Sequence, residues 1–155
     1  MELKTTRFGR LETLEIPEES VLEFPHGLPG FESHKSFALI EDANYMPFRW
    51  LQSLGDPDVA FMVIDPALVV GTYDVDVVEL DVECLELVEG NDPDVMCILV
   101  MPDDFRSATV NLKAPIVVNR PRQRGKQVIL TDERYPLRFR AFNPGNAPHP
   151  AASPC

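Results

Sequence analysis

The sequence predicts an all-β protein, a compact and mostly antiparallel small barrel or sandwich with one or two short helices. Three observations predict it. Apolar segments the length of strands rather than helices recur along the chain, each closed by Gly, Pro or Asp-rich punctuation. The turns between them are too short for the crossover helices that parallel neighbours need. Proline makes up 15 of the 155 residues, about twice ordinary usage, and a helix bundle does not tolerate so many lost backbone donors.

Taken in order, residues 11–16 form the first segment, stopped by Pro17, and residues 20–24 run up to Pro25. Strands are then expected at 36–40, 48–54, 59–64, 95–100, 108–112, 116–118 and 127–130, several rich in Val, Ile, Phe and Thr. Residues 77–88 fit either period. Leu80 has strand parity with Val78 and Val82, yet Val77, Leu80, Cys84, Leu87 and Val88 also fall on one helical stripe. A short helix over 79–85 is the reading adopted. Residues 143–155 hold four prolines with Gly, Ala and Ser and no apolar periodicity, so a disordered tail (142–155) is expected after one folded domain (1–141). A single domain of this size buries roughly 70% of its unfolded surface.

Composition narrows the function. No apolar run approaches a membrane span, and the Met-Glu-Leu-Lys start has no signal-like apolar region, so a cytoplasmic protein without membrane contact is expected. The net charge of −11 is unevenly divided. Residues 1–105 carry 23 acidic and 5 basic side chains, whereas residues 106–155 carry 2 acidic and 9 basic. Such a field disfavours nucleic acid over most of the surface and favours a basic partner. Equally, it reads as a solvated acidic surface that keeps the chain soluble.

Catalytic signatures are sparse. Cys84, Cys97 and Cys155 form no C-x-x-C pair; the first two read as small packed hydrophobes. His26, His34 and His149 lack partners at metal-ligand spacing. Ser53 has no nucleophile-elbow context, and Gly-Leu-Pro-Gly at 27–30 lacks the Lys and helix of a phosphate loop. A non-catalytic binding protein is expected, with no cofactor, metal or small-molecule substrate.

Two segments stand out for shape. In residues 24–32 (FPHGLPGFE), Pro29-Gly30 suits the central positions of a type II turn, with Pro presetting φ and Gly supplying the positive φ. Phe24, Leu28 and Phe31 around it either plug one end of the barrel or expose an apolar knob. Residues 111–119 (NLKAPIVVN) read as strand, proline break and strand, leading to a turn at 120–126 with Arg120, Arg122, Arg124 and Lys126. That basic cluster would suit a nucleic-acid-binding module, the alternative function. Without aromatic interleaving it reads better as a solvated hairpin tip held against the acidic body.

Residues 24–32 also resemble the hallmark turn of the flagellar assembly factor FliW family. Residues 47–53 (PFRWLQS), 61–66 (FMVIDP), 109–119 (TVNLKAPIVVN) and 125–130 (GKQVIL) are similar to further segments of that family, in the same order. The resemblance spans about residues 5–140 and implies a compact β domain with two protein partners. These are the C-terminal region of flagellin and the RNA-binding translational regulator CsrA. Excess cytoplasmic flagellin would occupy the protein and leave CsrA free to repress flagellin translation; export of flagellin would release it to antagonise CsrA, with no direct nucleic-acid contact. An apolar groove would take flagellin's amphipathic segment, with Leu28, Phe31, Ile116 and Val118 as first candidates. The candidate partner-binding residues are thus Leu28, Pro29, Gly30, Phe31, Asn111, Pro115, Ile116, Val118 and Asn119.

Overall fold

The computed structural model describes residues 1–75, 83–87 and 93–142. Among these residues eleven strands follow in order: β1 (Glu2–Thr5), β2 (Glu12–Glu15), β3 (Val21–Glu23), β4 (Ser36–Ile40), β5 (Arg49–Ser53), β6 (Ala60–Ile64), β7 (Asp94–Val100), β8 (Thr109–Val110), β9 (Ile116–Asn119), β10 (Arg124–Gln127) and β11 (Phe139–Arg140). Strands β3 to β7 form an antiparallel meander. Strand β9 pairs with both β10 and β7, and β10 meets β3 in the sheet's parallel contact. That closes a seven-stranded barrel. Strand β7 also carries β8, and β8 carries β11, as a short apron of sheet outside the closure.

Alternation of side chains across the strands accounts for the core. Leu22, Phe37, Leu39, Leu51, Val63, Met96, Ile116 and Val118 point into the lumen, joined by Phe24 and Leu28 from the loop after β3. Residues of the opposite parity face outward, and each outer patch has a cover. The β1–β2 hairpin lays Leu3, Leu14 and Ile16 over Ala38, Ile40 and Trp50. Residues after β6 and before β11, including Val69, Tyr73 and Tyr135, cover Ile64, Cys97 and Leu99. Leu85 and Val128 cover Val117.

Several expectations are corrected. The last barrel strand is Arg124–Gln127 and not 127–130, because Val128 and Leu130 turn into two different outer clusters instead of continuing one ladder. The segment expected at 108–112 is a strand only over Thr109–Val110. Strands β1 and β11 were not expected at all. Of the helix expected over 79–85, residues 79–82 lie outside the described residues, and Glu83–Leu85 forms one 3-10 turn. Helix among the described residues is confined to 3-10 turns, the others being Glu18–Ser20, Pro66–Leu68 and Phe105–Ser107. The expected disordered tail, but for Phe142, also lies outside the described residues.

The two mouths of the lumen differ. At one, Arg49, Glu41, Asp94 and Arg120 have lumen-face parity and bridge β5, β4, β7 and the end of β9. Arg49 Nη1 lies 3.1 Å from Asp94 and 3.5 Å from Glu41, while Arg120 pairs with Glu41 and sits 3.8 Å from Asp94. Burial pushes the Glu41 carboxyl up, but the hydrogen bond and charge of Arg120, with Arg49, outweigh it and hold the group below its ordinary value of 4.5. A depressed carboxylate stabilises the fold above its unfolded pKa, and that contribution disappears as pH falls through the folded value. Glu41→Gln is therefore expected to lose less melting temperature than the parent chain on titration below pH 4.5. Parallel acid limbs for the two proteins would show that the bridge does not contribute. The other mouth is apolar.

Candidate functional site

The apolar mouth is built by residues 24–34. Phe31 N–H donates to the Leu28 carbonyl at 2.7 Å and Gly30 has φ +85°, the geometry of a type II turn with Pro29 and Gly30 at its centre. The Glu32 carboxylate accepts from Gly30 N–H at 3.0 Å, and that bond lowers its pKa. Gly27, at φ +65°, is the tighter position, since a Cβ there would stand 2.6 Å from Glu32 Cα. Both earlier alternatives for the apolar residues hold in part. Phe24 and Leu28 are fully buried and plug the lumen, whereas Phe31 is 37% exposed. The Phe31 ring packs edge-on against Phe61 at 5.0 Å and lies 6.0 Å from His34.

The segment around the proline break is structural. Asn111 Oδ1 accepts from Ala114 N–H at 3.1 Å and shapes the turn into buried Pro115. Ile116 and Val118 point into the lumen beside Leu28. Asn119, almost fully buried, donates to the carbonyls of Leu85 at 2.7 Å and Glu86 at 3.3 Å, tying residues 83–87 to the barrel. Leu28, Ile116 and Val118 thus meet in one cluster but inside it. Of the four groove candidates only Phe31, flanked by exposed Pro29 and Gly30, presents surface to a partner.

The basic residues do not form one tip. Arg120 belongs to the bridge across the opposite mouth. Arg124 lies on β10, with Nε 3.4 Å from Glu86 and Nη1 donating to the Cys84 carbonyl at 3.3 Å. Lys126 is on the same strand and Arg122 stays exposed in the turn. The expected turn at 120–126 is accordingly a hairpin bend fixed by Gln123, whose side-chain amide donates to the carbonyls of Glu18 and Val21 at 3.0 and 2.9 Å.

One pair of reactive types does meet. His34 Nδ1 is 2.9 Å from Ser53 Oγ, which also accepts from Gly55 N–H at 3.1 Å. Ser53 is buried, so the hydroxyl braces the β5–β6 turn. Cys97 is fully buried, and burial pushes its thiol up to about 12, which suits the packing role expected of it. Among the described residues no group of three or more His, Cys, Asp and Glu gathers as a metal site, and no helix is long and apolar enough to cross a membrane.

Reading along the sequence missed Gly27, Phe61 and the Arg49 bridge. A charged residue inside the apolar run 48–54 was the available signal for Arg49, because a buried strand keeps an arginine only where acids meet it.

These features define a small closed β-barrel, bridged by charge at one mouth and paved with aromatic residues at the other. The family model described as FliW protein matches residues 2–141, and the chain belongs to the FliW family. The flagellar assembly factor FliW of Caldicellulosiruptor bescii is 41% identical over 140 residues, which is 90% of each chain. That of Bacillus pumilus is 41% identical over 122 residues, 79% of this chain and 85% of the relative. A crystal structure of the flagellar assembly factor FliW matches with a TM-score of 0.80 at 35% identity, covering 92% of this chain and 98% of the other.

Proposed function

We propose that the chain is a non-catalytic flagellar assembly regulator. It binds the C-terminal region of flagellin in the cytoplasm and antagonises the translational regulator CsrA by partner switching. The observation that carries this reading is the family match across residues 2–141, with relatives described as flagellar assembly factors over nearly their whole length. Two physical features support it. The apolar mouth offers aromatic surface to an amphipathic segment that needs cover before it assembles. The excess of acid over residues 1–105 attracts a basic, RNA-holding protein and repels RNA itself. Engagement of Arg120 and Arg124 with Glu41, Asp94 and Glu86 favours the regulator over a nucleic-acid-binding module.

Salt and charge variants test the CsrA half. Association with CsrA should weaken as salt rises, because charges at an interface rim are screened beyond about 8 Å at physiological ionic strength. An Arg122→Ala variant should bind CsrA as the parent does, and neither protein should shift RNA in a gel. A parent chain that shifts RNA at sub-micromolar concentration while ignoring CsrA would overturn the reading.

A further inference from the structure

The lumen face of the barrel does not end at the apolar mouth. Strand β9 pairs with β7 only at Asp94, Val95 and Met96, and β8 takes over at Leu99 and Val100. At this changeover the wall stops curving closed and runs on as the β7–β8–β11 apron. Leu51 stands opposite Phe61, and Met62 opposite Leu99, so Phe61 faces Val100 one step further along the same register. Val100 is opposite Thr109, and Thr109 opposite Arg140. Side chains of directly opposed residues lie on one face, so a continuous row runs from the lumen out across the apron.

Among the described residues the outer end of that row is exposed at Val100 and Arg140. Val100 is 61% exposed, and Phe105 and Phe142, which meet edge to face at 5.8 Å just past Arg140, are 58% and 43% exposed. Phe31 continues the surface through its contact with Phe61. The apron side carries Arg106, Arg138 and Arg140 against Asp103 and Asp104, a balance less acidic than that of the body. Arg140 donates to the Arg106 carbonyl at 3.3 Å, which holds both residues beside the aromatic pair, and Arg138 is exposed next to β11. Arg106 pairs with Asp104, and among the described residues no ion pair engages Arg138 or Arg140. Exposed apolar area of this kind marks an interaction surface, and the arginines select the partner.

We propose that the apron, from Phe31 through Val100 to Phe105, Arg140 and Phe142, docks an amphipathic helix that carries carboxylates beside its apolar stripe. The apolar stripe lies on Val100 and the rings, and its carboxylates meet Arg140 and Arg138. This deepens the partner-binding reading above and rests on it only for the identity of the protein that supplies the helix. A basic partner is directed elsewhere, to the acidic body.

Fluorescence anisotropy with the full chain tests the proposal. The ligands are a labelled amphipathic peptide of about five helical turns (~18 residues) with a leucine face flanked by glutamates, and the same peptide with lysines. The glutamate peptide should bind more tightly than the lysine peptide. Val100→Asp and Phe105→Ser, both at exposed positions, should each weaken it by about tenfold or more. Arg140→Glu should reverse the preference between the two peptides, and Leu11→Ser, at an exposed residue of the β1–β2 hairpin, should change nothing. Equal binding of both peptides, no binding of either, or loss only in Leu11→Ser would overturn the proposal. So would self-association of the chain that Val100→Asp abolishes, because a second copy would then be the occupant. Monomeric flagellin measured with the same variants separates the two readings. If flagellin binds and ignores Val100→Asp, the docking surface is wrong and the function stands; if only the glutamate peptide binds, the surface stands and the function does not.

Discussion

Replacement of Gly27 by valine is expected to lower the melting temperature by about 6–12 °C, the equivalent of about 3 kcal/mol or more for a chain of this size. Two costs add at this position. With φ at +65°, a β-branched residue enters a region that only glycine occupies freely. In addition, the new Cβ would stand 2.6 Å from Glu32 Cα and 2.8 Å from the Glu32 carbonyl oxygen, and backbone cannot swing aside as a side chain can. Gly30 supplies the internal control. Its φ is +85°, but no atom beyond its two chain neighbours lies within 4 Å of a Cβ there. Gly30→Val therefore carries strain alone, roughly 1–3 kcal/mol. Thermal melts of the two variants should differ clearly, with Gly27→Val the less stable. Equal melting temperatures would mean that residues 27–32 open without loss and do not form the plug described.

The second large effect lies under the same plug. The Phe24 ring is fully buried and lies across Gly125 of β10, where a Cβ would stand 2.6 Å from two ring carbons. Phe24→Ala should cost about 3–5 kcal/mol, through lost burial and the cavity left in the lumen. Gly125→Ala should cost about 1–3 kcal/mol, because the ring is packed on every side and must move off its rotamer to make room. The two positions share one space, so their effects should not add. A Phe24→Leu/Gly125→Ala double variant should be more stable than the sum of its single variants, by an interaction energy of about 1 kcal/mol measured in chemical denaturation. Simple additivity would contradict the contact.

Much of the barrel was legible because prolines and glycines cut the sequence near the strand ends. Pro17, Pro25 and Pro66 punctuate runs that do become β2, β3 and β6. The type II turn was legible for the same reason, since Pro29 and Gly30 each satisfy one dihedral of it. Closure was not legible. It depends on β7 pairing with β9 along one half and β8 along the other, and a strand's sequence does not record which neighbour takes its hydrogen bonds. Strand β10 was displaced for a related reason. The apolar run Val128-Ile129-Leu130 looks like a strand, but the ladder position beneath Phe24 needs a residue without a side chain, and that residue is Gly125.

The site was half legible. Burial of Ile116 and Val118 follows from lumen parity, which is fixed by register and not by residue type, whereas Leu28 is folded into the lumen by its turn. Arg120 and Glu41 are 79 residues apart, so the bridge that removes Arg120 from any basic tip is a product of closure. Of the four groove candidates Phe31 alone combined a visible signal with an exposed position, because the turn that precedes it leaves its ring on the rim. Val100 gave no signal, since an apolar residue at a strand end reads as core until the neighbouring strand is seen to leave, and Phe142 fell within the expected tail.

Size-exclusion chromatography of the purified chain with monomeric flagellin tests the central claim most directly. At micromolar concentration the pair is predicted to co-elute as one complex, and flagellin lacking its C-terminal segment is predicted to elute apart from the chain. Separate elution of the full-length pair, or undiminished co-elution with the truncated flagellin, would contradict it.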